Sequence, residues 1–298
     1  MRVFVTGMTG QLGHDVVPEL LRRGHRATGS GSREIGPAAA AAPCVRLDIT
    51  DRDAVKNTVS QFRPDAIIHC AAWTAVDAAE DQENRARVHA VNALGTQYVA
   101  EAARDVGAKM MYISTDYVFD GRGTRPWQPD DKCYAPLSVY GQSKLDGELA
   151  VSGILDKYFI VRIAWAFGLN GSNFIKTMIN VGTTHDEVRV VNDQIGTPTY
   201  TADLARLLAD MVETEKYGYY HATNEGGYIS WYDLCVECYR QYGLKTKVIP
   251  VTTAEYALSR AARPLNSRLD KSKLTEAGFT PLPDWRDAVR RYLAEADL

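Results

Sequence analysis

The chain has 298 residues, 45% of them apolar and 24% charged, with a formal net charge of −3. That balance gives no electrostatic footprint for DNA, RNA or an anionic membrane as partner, and no apolar run approaches the ~20 residues that cross a bilayer. Length and composition point to one large globular domain or two closely joined ones.

Residues 2–6 are predicted as the first strand. The chain enters it directly, without the long apolar stretch of a secretory signal, so a cytoplasmic location is expected. Residues 13–23 read as a helix ended by Gly24, 25–29 as a second strand and 44–47 as a short third one. The alanine-rich stretch 38–42 reads as a loop or a turn of helix. Residues 51–62 are predicted as a helix, with Asp51 as its cap and Pro64 past its end. The continuous apolar run 65–70 predicts a buried strand. One long helix is expected over 83–106, closed by Gly107, then a strand over 109–114, a helix over 139–151 and a strand over 158–163. Alternating elements predict an α/β fold, a Rossmann-like doubly wound parallel sheet.

From about residue 166 the alternation weakens. Helices are predicted over 173–182, 202–212, 230–242, 253–259 and 285–294, with short strands at 219–222 and 247–251. The expectation is a dinucleotide-binding domain over 1–165 that carries the catalytic groups. A smaller, interleaved C-terminal region over 166–298 mainly binds substrate. The five cysteines (Cys44, Cys70, Cys133, Cys235 and Cys238) are scattered, which fits reduced thiols. Cys235 and Cys238 stand in a helical pattern with no second pair at zinc-binding spacing, so they are read as buried helix cysteines and no metal site is expected.

The first strand runs into Thr6-Gly7-Met8-Thr9-Gly10-Gln11-Leu12-Gly13. Glycines every third residue at a strand-to-helix junction suit a dinucleotide. Gly7 permits the turn, Gly10 admits the pyrophosphate and Gly13 lets helix and sheet approach. The helix start at Gln11 and Leu12 then offers free N–H groups to phosphate. At the second strand's end the chain reads Ser30-Gly31-Ser32-Arg33, without the carboxylate that usually marks NAD sites. Ser30, Ser32 and Arg33 suit a 2′-phosphate, so NADPH is the expected cofactor, with NADH as the second choice. Asp48, with Ile49 beside it, either accepts from the adenine amine or caps the next element. The small residues Ala71 and Ala72, followed by Trp73, would let the cofactor lie against the fourth strand's end.

Tyr140 and Lys144 stand i, i+4 in Tyr140-Gly141-Gln142-Ser143-Lys144, on one face of a helix. The ammonium is expected to lower the phenol's pKa and tune it for acid–base work. A solvated surface pair is the bland alternative. The pair follows the fifth strand, whose tip carries Ser114, Thr115 and Asp116. There Thr115 or Ser114 would hydrogen-bond a developing alkoxide and Asp116 would orient a sugar hydroxyl, unless they merely close a turn.

Glycine triplet, strand-tip hydroxyl and YxxxK together resemble the extended short-chain dehydrogenase/reductase family. Finer motifs are similar to the dTDP-4-dehydrorhamnose reductases: Ser114-Thr115-Asp116-Tyr117-Val118-Phe119, Asn192-Asp193-Gln194-Ile195-Gly196-Thr197-Pro198-Thr199, Ser230-Trp231-Tyr232-Asp233 and Ala262-Arg263-Pro264-Leu265-Asn266. The resemblance implies reduction of the C4 ketone of dTDP-4-dehydro-β-L-rhamnose to dTDP-L-rhamnose. It makes Tyr140 the proton donor, Lys144 its electrostatic partner and a ribose anchor, and Thr115 the group that polarises the keto oxygen. Asp116 would contact the sugar. Trp165 would pack on the deoxysugar, core packing being its alternative. Asn173, Gln194 and Arg263 fall in segments expected around the nucleotide diphosphate. Trp73 departs from the polar residue common at its place. A monomer and a homodimer are equally compatible.

Two other functions fit the same scaffold. One is a further nucleotide-sugar reductase or an epimerase, which recycles its cofactor. The other is a non-catalytic dinucleotide-binding regulator, similar to the regulatory subunit of methionine adenosyltransferase.

Overall fold

The alternating strands assemble, in a computed structural model, into one seven-stranded sheet. The structure describes residues 1–32, 42–256 and 259–298. Arg33, residues 38–41 of the alanine-rich stretch and residues 257–258 of the helix expected over 253–259 lie outside the described residues.

The strands are β1 (Arg2–Thr6), β2 (Arg26–Gly31), β3 (Cys44–Arg46), β4 (Ala66–His69), β5 (Lys109–Thr115), β6 (Tyr158–Ile163) and β7 (Gly218–His221). Their order is β7-β6-β5-β4-β1-β2-β3, and every pairing is parallel. The chain leaves β1 toward β2 and β3 and then crosses to β4 on the other side. That reversal opens a crevice at the carboxyl ends of β1 and β4, the usual ligand position in such sheets.

Both faces of the sheet are covered, because successive side chains of a strand point to opposite sides. Val3 and Val5 join Ile68, Met111 and Val161 in a core roofed by helices Gln11–Arg22 and Thr201–Val212. Phe4 joins Ile67, Met110 and Tyr112 beneath helices Arg52–Phe62 and Thr96–Val106. The Asp51 carboxylate caps the first of these by accepting from Ala54 N, as expected.

The C-terminal region is interleaved with this sheet, since Thr201–Val212 and β7 both return to it. Its own core lies among helices Phe174–Gly182, Trp231–Tyr242 and Trp285–Glu295 and the parallel pair Glu187–Val191 with Lys247–Val251. Cys235 and Cys238 are buried in that core, and burial pushes the Cys235 thiol up to about 12.

One element departs from expectation. Instead of a continuous helix over 83–106, Gln82–His89 and Thr96–Val106 flank a wider π-helical turn, Ala90–Gly95. The cause is polar and local. Asn92 turns inward, accepting from Trp73 N at 2.8 Å and donating to the Trp73 carbonyl and to Ser143 Oγ. The Thr96 hydroxyl caps the Asn92 carbonyl at 2.7 Å. Such widened turns mark functional segments, and this one ties the β4 tip to the Tyr140 helix. No helix among the described residues is long and apolar enough to cross a membrane.

Candidate active site

At the crevice, Gly7 takes φ +67°, and a Cβ there would lie 2.7 Å from Ala71 N. A Cβ on Gly13 would lie 2.6 Å from Met8 Cα. The turn therefore closes only with glycine at these two points. Above it lies a cavity of about 590 Å³, lined by Gly7, Gly10, Ser30, Ser32, Asp48, Ile49, Ala71 and Ala72. These are eight of the residues that sequence reasoning placed around a cofactor. Ser30 Oγ is buried in this wall with no hydrogen-bond partner, an orphaned group that a ligand phosphate or hydroxyl would satisfy. A glycine cradle, the start of helix Gln11–Arg22 and an unsatisfied hydroxyl together fit a dinucleotide.

Gln11, Leu12 and Trp73, also expected at the cofactor, are not among the lining residues, and Asp48, which is, has partners of its own. Leu12 points into the core, and Gln11 Nε2 donates to the Ser172 carbonyl at 3.4 Å. Asp48 accepts from Thr50 N at 2.9 Å and Thr50 Oγ1 at 2.8 Å, closing its own turn, while Asp51 caps the next helix. Trp73 is half-buried and held by its backbone to Asn92.

The reactive groups meet at the carboxyl end of β5. Helix Val139–Ile154 starts beside it, capped by Ser138, whose hydroxyl accepts from Gly141 N at 3.1 Å. The Tyr140 phenol lies near the Thr115 hydroxyl, whose influence on its pKa partly offsets that of burial. Its ring meets Tyr117 edge-on, with centroids 5.5 Å apart. Lys144, one turn on, is buried with Nζ donating to the Ile113 carbonyl at 2.7 Å. Desolvation brings its ammonium down to about 7, partly offset by the Glu148 carboxylate. Spacing alone predicts a phenol lowered by this ammonium. The structure shows the reverse: burial dominates and pushes the Tyr140 phenol above its usual range. Lys144 Nζ is instead engaged with β5.

Lys144 does not line the crevice cavity, but its charge reaches the cavity wall. Its charge acts on His69 and on Cys70, a crevice residue. His69 is held near 3 by burial and is therefore neutral. Its two ring nitrogens lie 2.7 Å from the Thr6 hydroxyl and 3.1 Å from that of Thr96. Asp116 accepts from the Thr115 hydroxyl at 3.0 Å, its other oxygen has no partner, and burial pushes its carboxyl up to about 6. Ser114 Oγ is likewise buried and unpartnered.

A second cavity of about 340 Å³ opens in the C-terminal region, with Gln194 and Arg263 in its wall. Arg263 Nη2 is paired with Asp77 at 2.6 Å, and Gln194 Nε2 donates to Thr253 Oγ1 at 3.1 Å. Trp165 has a left-handed backbone, φ +51°, and stacks on Trp231 with centroids 3.9 Å apart. Asn173 is committed elsewhere: its side chain caps helix Phe174–Gly182 through Lys176 N and donates to the Gly168 carbonyl and the Tyr292 hydroxyl.

Sequence reasoning missed Arg189, Phe174 and Trp231 in this second cavity and Arg87 in the first. Arg189 was within reach, because Val188 and Val190 alternate with it and face the core, leaving Arg189 on the open side. Arg87 carries no comparable local signal.

A family described as the RmlD substrate binding domain matches residues 1–298. A dTDP-4-dehydrorhamnose reductase of Streptomyces griseus is 42% identical over 294 residues, which covers 97% of this chain and 91% of that protein. The crystal structure of a dTDP-4-dehydrorhamnose reductase from Clostridium acetobutylicum ATCC 824 has a TM-score of 0.90 at 39% identity, over 99% of both chains. A dTDP-4-dehydrorhamnose reductase from Bacillus anthracis in complex with NADP gives the same figures, 0.90, 39% and 99% of both chains.

Proposed function

The chain belongs to the RmlD substrate binding domain family, and from that membership we propose that it is an NADPH-dependent reductase. Its reaction is reduction of the C4 ketone of dTDP-4-dehydro-β-L-rhamnose to dTDP-L-rhamnose. The observation that carries this reading is the meeting of Tyr140, Thr115 and Lys144 at the tip of β5, beside the crevice above the Gly7 turn.

When bound, the nicotinamide supplies a hydride to C4. The chain's own groups manage the oxygen. The Tyr140 phenol, held protonated by burial, donates its proton to the nascent alkoxide, and the Thr115 hydroxyl, turned from Asp116, donates a hydrogen bond to the same atom. The buried Lys144 ammonium, held on the Ile113 carbonyl, would anchor a ribose hydroxyl of the bound cofactor. The free oxygen of Asp116 accepts from a sugar hydroxyl. Trp165, stacked on Trp231, offers an apolar face to the deoxysugar, while Arg189 and Arg263 receive the diphosphate at the second cavity. Residues 1–165 thus bind the cofactor, and residues 166–298 mainly bind the substrate. Five unpaired cysteines support a reducing, cytoplasmic setting.

The test is to follow NADPH consumption with dTDP-4-dehydrorhamnose and to identify the product by NMR. The reading expects one NADPH oxidised per dTDP-L-rhamnose formed. Isomerised product without net NADPH loss makes the chain an epimerase. No turnover despite NADPH binding makes it a regulator.

A further inference from the structure

We propose that Arg87 holds a phosphate of the dinucleotide, an inference that rests on the cofactor reading above. The crevice cavity has only two charged side chains among its described lining residues, Asp48 and Arg87. A dinucleotide brings two pyrophosphate charges, and its 2′-phosphorylated form brings a third phosphate. The start of helix Gln11–Arg22 supplies partial charge only. Asp48 opposes an anion and is tied into its own turn by Thr50. The single full positive charge that the described wall offers is Arg87.

Its placement suits that role. Arg87 stands in the last turn of helix Gln82–His89, one turn before Val91, and Ala90 and Val91 line the same cavity. It is exposed, and among the described residues its side chain makes no hydrogen bond or ion pair, so its planar fork of donors is available. Its guanidinium carbon lies 5.7 Å from the centroid of the Trp73 indole. That contact directs the group over the crevice without consuming an N–H. Trp73 is itself fixed by Asn92 across the widened turn. Ser30, buried and unpartnered in the same wall, is a second group awaiting an oxygen.

The experiment is calorimetric titration of NADPH and of NADH into the wild type and into Arg87→Gln, at two salt concentrations. Arg87→Gln is expected to raise the Kd for NADPH about 10- to 100-fold and to flatten its salt dependence. An unchanged Kd for NADH assigns Arg87 to the 2′-phosphate, and an equal loss for both assigns it to the pyrophosphate. Arg87→Lys is expected to recover part of the loss, because the charge remains. An Arg87→Gln protein that binds NADPH like the wild type overturns the proposal, as does a weakened one with unaltered salt dependence. If the wild type binds neither nucleotide, the cofactor reading itself fails.

Discussion

Lys144 Nζ donates to the Ile113 carbonyl at 2.7 Å and lies 4.0 Å from the centroid of the Tyr112 ring. The catalytic helix is thereby pinned to β5, and the ammonium sits where water does not solvate it. Desolvation leaves its pKa at about 7. The charged form is the active one, and it is lost as pH rises through that value. The rate constant kcat/KM is therefore expected to fall as pH increases above about 7. A guanidinium stays charged there, so the rate surviving in Lys144→Arg shows no such decline. A flat wild-type profile through this range counts against Lys144 as the titrating group.

Tyr140→Phe removes the proton donor and little volume. A loss of about 10²-fold or more in kcat is expected, with NADPH affinity by calorimetry nearly unchanged. Wild-type turnover by this variant would falsify the assignment.

Asn173 is a cap before it is anything else. Asn173→Ala removes the bond to Lys176 N and leaves the Gly168 carbonyl and the Tyr292 hydroxyl without their donor. A stability loss of about 2 kcal/mol is expected in urea denaturation. An unaltered unfolding midpoint together with a raised KM for the nucleotide sugar would instead make it a substrate contact.

Glu148 lies one turn beyond Lys144 and accepts from Arg162 Nε at 2.8 Å and Nη2 at 2.7 Å, both side chains being fully buried. Glu148→Gln leaves a buried guanidinium without its countercharge. The expected cost is about 3–5 kcal/mol by chemical denaturation. The double change Glu148→Leu with Arg162→Met is expected to recover much of that loss, because no isolated charge remains. A double variant no better than the single one sinks this account.

What the sequence determined by itself rests on short-range physics. The Gly7–Gly13 turn, the i, i+4 pair Tyr140 and Lys144, the Asp51 cap and the short apolar runs of β1 and β4 all depend on residues a few positions apart. Backbone sterics and helix or strand periodicity read such spacings directly. The tertiary structure decided whatever depends on burial and on partners distant in the chain. It pushed the Tyr140 phenol up where spacing predicted a lowered value, and it widened the helix at Asn92 to reach Trp73 and Ser143. It committed Asn173 to Tyr292, and it brought Arg87 to the cofactor crevice. Desolvation and long-range contact exist only once distant segments pack, so no local pattern encodes them.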